Sequence, residues 1–305
     1  MSNTFSVTSV VDHTTDAAYH TWVAEAISAI FTSIGLTQTA DTGQTTNGGT
    51  TRPAINTAGG YVTGRFNDTA QSTSPVFFKL EFGTGASVNN PQMWITVGTG
   101  TNGSGTITGT TTVRAAVCTG GALVSTVTSY PSRFVWNPTY GFFGFVWKSG
   151  SPGTQTTQGG FFLCRSTNSS GAVTTDAVIL ITNSNTATGS SSDPAYMQVY
   201  SYLTAGLVTL PTQNNWGFWP LGLTTTVVSG QISLVPIFVV YPTLAFHACM
   251  GIGLLGETPI GNTTSLAMVG STALTFLSVG SPFGATSTEG INLSPATHTI
   301  MMLWQ

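Results

Sequence analysis

The chain breaks into short apolar runs, each closed by Gly, Pro, Ser, Thr or Asn. Examples are "VFFKLEF" (76–82), "GFFGFVW" (141–147), "FFLCR" within 160–165 and "AVILIT" (177–182). Runs of that length fit strands better than helices, and the punctuation between them fits turns. Similar runs stand near 61–66, 92–97, 106–117 and 133–136. Others follow at 196–203, 222–228, 232–241, 244–252, 264–269, 272–278 and 298–304. The chain holds 55 Thr and 36 Gly in 305 residues, which favours strands and tight turns further. The expected fold is mainly β: two β-sandwich or barrel-like domains with one N-terminal α-helix and an extended arm.

The helix is confined to "DAAYHTWVAEAISAIFTSIG". Tyr19, Val23, Ile27, Ile30 and Ile34 recur at helical spacing, and Trp22, Ala26 and Phe31 widen that stripe. Thr14 or Thr15 is placed to cap it, Asp16 suits its first turn, and Gly35 ends it. The apolar face packs on the chain's own sheet or docks onto a neighbouring subunit. Residues 37–60 are polar and rich in Gly and Thr, and read as an extended arm. The low-complexity stretch 183–194 marks a boundary. The expected organisation is 1–60 (strand, helix and arm), 61–185 (β domain) and 190–305 (second β domain, rich in interfaces).

"MWITVGTGTNG" (93–103) contains G-x-G-x-x-G after an apolar run, the outline of a dinucleotide-binding turn. That turn needs a helix opening at the third Gly and an acid some 20 residues on. Here "SGTITGTTTVRAAVC" follows, a poor helix, and no Asp or Glu comes after it for that span. Two antiparallel strands joined by a Gly-rich loop explain the pattern better.

Charge is scarce and lopsided. Only 6% of residues are charged, and all seven cations (Arg52, Arg65, Lys79, Arg114, Arg133, Lys148 and Arg165) precede residue 166. Beyond it stand only Asp176, Asp193, Glu257 and Glu289. A free monomer normally keeps a charged surface, so this pattern suggests a surface covered by neighbours. It also argues against nucleic acid, which needs clustered cations. Cys118, Cys164 and Cys249 are isolated and read as core thiols. The N-terminal residues carry no basic and apolar leader, so synthesis in the cytoplasm is expected. Residues 234–256 lack formal charge, but Pro236, Pro242 and His247 interrupt them. A buried strand suits them better than a membrane span.

No catalytic constellation emerges. His13 and Asp12 are adjacent, and His20 lies one turn from Asp16, without a nucleophile; a surface hydrogen bond is the simpler account. His247 and Cys249 share a strand face without an orienting acid and read as a buried pair. No catalytic residue, cofactor or metal ligand is expected. Aromatics are dense in "RFVWNPTYGFFGFVW" (133–147) and "NNWGFWPLG". They read first as core and interface anchors. Trp136, Trp147, Trp216 and Trp219 are the candidates for glycan contact if exposed.

"LTQTADTGQ" (36–44), "TRPAINTAGGYVTGRFND" (51–68) and "PVFFKLEFGTGASVNNPQMWITVGTGTNGSGTITG" (75–109) resemble a recurring set of tailed-bacteriophage virion proteins of the tail, baseplate or fibre region. "FFLCRSTNSSGAVTTDAVIL" is similar to a further hairpin of that set. The resemblance spans roughly residues 10–185 and carries over no active site. It implies a non-enzymatic structural subunit, localised to the virion and made in the host cytoplasm. Its expected partners are copies of itself in a symmetric ring or trimer and other virion proteins, with a host surface glycan as a further candidate and neither nucleic acid nor a membrane span. Tyr19, Trp22, Val23, Ile27, Ile30, Phe31, Phe238, Val240, Phe246 and Trp304 are the candidate interface residues. A receptor-binding fibre, a capsid-decorating protein and a carbohydrate-binding or glycan-degrading domain are the alternatives.

Overall fold

The structure is a computed structural model. It describes residues 4–10, 13–45, 51–85, 88–89, 91–109, 111–112, 114–117, 129–151, 154–168 and 172–182. Beyond these it describes the strands 196–201, 206–210, 235–240, 246–255, 263–266, 274–280 and 299–303. The fold is mainly β with one N-terminal helix and several antiparallel sheets.

In chain order, β1 (Thr4–Val10) precedes α1 (Asp16–Ser28) and a π-helical turn, Ala29–Ser33. Then come β2 (Thr37–Gln38), β3 (Thr57–Arg65), β4 (Phe77–Thr84), β5 (Pro91–Gly98), β6 (Gly100–Thr101), β7 (Ile107–Thr108) and β8 (Ala115–Ala116). The long hairpins follow: β9 (Ser129–Asn137), β10 (Phe142–Ser151), β11 (Thr154–Thr167) and β12 (Val173–Thr182). The remaining strands are β13 (Tyr196–Ser201), β14 (Gly206–Leu210), β15 (Val235–Val240), β16 (Phe246–Leu255), β17 (Thr263–Leu266), β18 (Leu274–Gly280) and β19 (Thr299–Leu303).

The strands form a five-stranded sheet in the order β2-β3-β4-β5-β8, a small β6-β7 ribbon and a twelve-stranded sheet. The large sheet runs β1-β9-β10-β11-β16-β19-β18-β17, with β12, β13, β14 and β15 branching from it. β12 pairs with β13, and β11 touches β16 at Thr167–Ala248, so one ladder joins strands on both sides of residues 183–195.

The helix forms as its residues dictate. Thr15 Oγ1 accepts from the Ala18 N–H at 3.1 Å, Asp16 opens the first turn, and Gly35 leaves the helix at φ +79°. The last turn is π: Ile34 N–H donates to Ala29 O at 2.9 Å. The wider turn lays Phe31 parallel to Phe78, with centroids 6.5 Å apart, over Gly64. A Cβ at Gly64 would come within 2.8 Å of the Phe31 ring. Only glycine lets the helix end approach β3 this closely.

One core fills the space between α1, the inner face of the five-stranded sheet and one face of β9–β12. Trp22 meets Phe82 edge-on at 5.8 Å, Phe78 meets Phe143 at 5.2 Å, and Phe66 meets Trp136 at 4.5 Å. Each such aromatic pair adds about 0.5–1.5 kcal/mol beyond area burial. Register sets Trp136, Phe143, Leu163 and Leu180 in one row across β9–β12, all within the core. On the opposite face Val135, Phe142, Phe162, Cys164 and Ile179 are buried as well. Burial on both faces explains why these strands read as unbroken apolar runs rather than alternating ones.

Some expectations need correction. The single strand read over 106–117 is two short ones. β7 folds back on β6, Gly109 turns at φ +78°, and the chain returns to β5 through Thr112–Val97 and Ala115–Ile95. β14 was not anticipated. The stretch 222–228 lies outside the described residues. The apolar segment 234–256 contains β15 and β16 paired antiparallel, and no helix among the described residues is long and apolar enough to cross a membrane.

Candidate functional site

The arm is the segment whose placement the sequence leaves most open. It folds along the chain's own small sheet. After β2, Thr39 N–H donates to Thr63 O and Thr45 N–H to Tyr61 O, continuing the edge of β3. Between them 40–44 loops outward, and Gln44 Oε1 fills the gap by accepting from Thr63 N–H at 2.9 Å.

Three clasps hold the arm, the helix and the sheets together. In the first, the Asp41 carboxylate accepts from Thr101 Oγ1 and from the Gly105 N–H, both at 2.8 Å. The Gly-rich loop of the β6-β7 ribbon is shaped for this. Gly103 and Gly105 have φ +81° and +82°, and Asn102 Oδ1 accepts from the N–H groups of Ser104 and Thr106. Tyr61 locks the two loops by donating to Thr42 O at 2.6 Å. Burial works against the Asp41 charge, but the N–H of Gly105 and the hydroxyls of Thr101 and Thr39 outweigh it. They hold the carboxyl below its ordinary value of 3.8.

In the second, Arg52 bridges the arm to the helix start. Its N–H and Nε both donate to Asp16 Oδ1 at 3.1 Å, and Nη1 reaches His13 O and Asn89 Oδ1. The Arg52 backbone N–H, then its side chain, lower the Asp16 carboxyl below its ordinary value. His13 Nε2 lies 3.0 Å from Thr84 Oγ1. Thr84 spends its one hydroxyl proton on Pro53 O, so the imidazole Nε2–H is the donor.

In the third, Arg165 on β11 makes a two-pronged ion pair with Asp68, through Nε–Oδ2 and Nη2–Oδ1 at 2.9 Å. Its Nη1 donates to Ser74 O at 2.7 Å. Arg165 is 1% exposed, so this is a fully desolvated pair. Beside it Asn67 Nδ2 donates to Gly35 O at 2.6 Å. The "FND" turn (66–68) therefore joins the helix end, the small sheet and the large sheet.

The outward face of the small sheet carries the remaining polar cluster. Tyr61 on β3 faces Glu81 on β4, and Lys79 stands two residues earlier on the same side. Glu81 pairs with Arg114 Nε at 2.7 Å and with Lys79 at 3.7 Å. Arg114 lies over the Trp94 ring at 4.0 Å and Lys79 over Tyr61 at 4.6 Å. Arg65, exposed at the end of β3, shares this side.

No family model, curated protein or solved structure matches the chain.

Several expected site residues lie elsewhere than the sequence suggested. Tyr19, Trp22, Val23 and Ile30 are buried in the chain's own core, and Ile27 and Phe31 pack against it. Of the two readings of the helix, packing on its own sheets describes the four buried side chains, which have no surface left for a neighbour. Phe238 and Val240 lie on β15 and Phe246 opens β16, while Trp304 lies outside the described residues. Trp136 is 2% exposed and stacked on Phe66, so it is no glycan platform. The Trp147 side chain, Trp216 and Trp219 lie outside the described residues. His13 is buried rather than at the surface, and the Asp16 hydrogen bonds go to Arg52 rather than to His20. The chain positions of Asp41, Asp68 and Arg52 gave no hint of their roles; their partners are 36 to 97 residues away.

Proposed function

We propose that this chain is a non-enzymatic structural subunit of a bacteriophage virion, of the tail or baseplate apparatus. The observation that carries this reading is where its few charges go. Arg52, Lys79, Arg114 and Arg165 all sit in ion pairs within the chain, and Asp16, Asp41, Asp68 and Glu81 are their counterparts or hold loops. Charge is used to fasten the chain to itself, and what remains outside is chiefly Thr, Ser, Gly and Asn. A surface so poor in charge suits a protein that spends its working life against neighbours. The same engagements support a non-enzymatic role, since these acids and His13 are committed to structural hydrogen bonds.

The segments that resemble virion proteins also support it. The arm (36–44), the 51–68 stretch and the 75–109 hairpins interlock through the three clasps into one unit, as a conserved building block of an assembly would. Negative-stain electron microscopy of the concentrated full chain tests the reading. Closed rings or trimers of uniform size are expected. Featureless monomers that cleave a glycan would overturn it.

A further inference from the structure

Among the described residues only Ile55 and Val88 are large, apolar and exposed. A contact made by this part of the chain must therefore be polar or charged. The outward face of the small sheet is the place where cations gather. Arg65, Lys79 and Arg114 stand on it, three of the seven in the chain, with Glu81 as the carboxylate between Lys79 and Arg114. The rings of Tyr61 and Trp94 hold Lys79 and Arg114 in place while their charged ends reach solvent, with side chains 22% and 33% exposed. Cations positioned before binding lose less rotamer freedom on contact.

The complementary surface is written in the same sequence. Residues 166–305 hold four carboxylates and no cation, while residues up to 165 hold seven cations against six carboxylates. We propose that the outward face of the β2-β3-β4-β5-β8 sheet docks the cation-free C-terminal part of a second copy of this chain. The two surfaces differ, so the contact is head-to-tail, the kind that closes into a ring or extends into a filament. Charge across such a contact sets register and speeds encounter more than it supplies affinity. This contact rests on the assembly role proposed above, and its test separates the two.

The test is analytical sedimentation of the full chain at about 0.1 M and 1 M salt, between which the screening length falls from about 10 to 3 Å. Wild type is compared with Arg65→Glu, with Lys79→Gln, and with the double variant Glu257→Lys, Glu289→Lys. Arg65 is exposed, so its reversal spares the fold, and an unchanged circular dichroism melt verifies this. Reversing Arg65 weakens self-association about three- to tenfold, as high salt does, and Lys79→Gln weakens it less. Mixing Arg65→Glu with the C-terminal double variant restores it, because each supplies the charge the other lacks. An oligomer indifferent to salt and to these variants overturns this contact and leaves the assembly role standing. A monomer under every condition overturns both. A monomer that binds heparin, and loses it in Arg65→Glu, assigns the face to a polyanion and overturns the self-contact.

Discussion

Arg165 and Asp68 show what a single pair decides in this chain. Both are almost fully buried, and the guanidinium also satisfies the Ser74 carbonyl and faces the Phe66 ring at 5.5 Å. Gly141, at φ +54°, passes so close that a Cβ there would lie 2.8 Å from the Arg165 side chain. Removing one partner of such a pair strands the other charge in an apolar site. Asp68→Asn is expected to cost about 3–5 kcal/mol, read as a lower urea midpoint. Thr15→Ala should cost only about 1 kcal/mol by the same assay, because the cap it removes lies at the surface. The two residues were not equally legible. Thr15 announces itself by preceding an acid and an amphipathic stripe. Arg165 ends the apolar run "FFLCR", and nothing near it in sequence names a partner 97 residues away.

Among elements, α1 and the alternating strands were legible because their signals are local. β4 reads Phe78, Leu80 and Phe82 inward, with Lys79 and Glu81 outward, as the pattern requires. The π turn was not legible, since it is set by the fit of Phe31 over Gly64 and Phe78 rather than by its own residues. The arm was legible only as polar and non-helical. Its path depends on Asp41 finding Thr101 and Gly105 some sixty residues on. That clasp carries a pH dependence. The Asp41 carboxyl lies below 3.8 in the folded chain, so as pH falls the unfolded chain takes up its proton first. Its contribution is therefore complete above pH 3.8 and is lost as pH falls through the folded value. Hydrogen exchange at the Gly105 amide should accelerate in that acid window. In Asp41→Asn it should be fast already at neutral pH and lack the acid step.

For the whole molecule, the fold class was legible and the joining of its parts was not. The sequence shows strands but not that β12 continues into β13, or that the core is shared by helix, small sheet and large sheet. What carries furthest at this scale is the distribution of charge, with cations confined to one part and half of them turned inward. A chain so arranged should not remain alone in solution. Light scattering of the purified full chain across a concentration series tests that claim most directly. The account predicts a mass that is a fixed multiple of 31.6 kDa, such as a trimer or hexamer, at micromolar concentration. A mass of 31.6 kDa that holds to the highest concentration would contradict it.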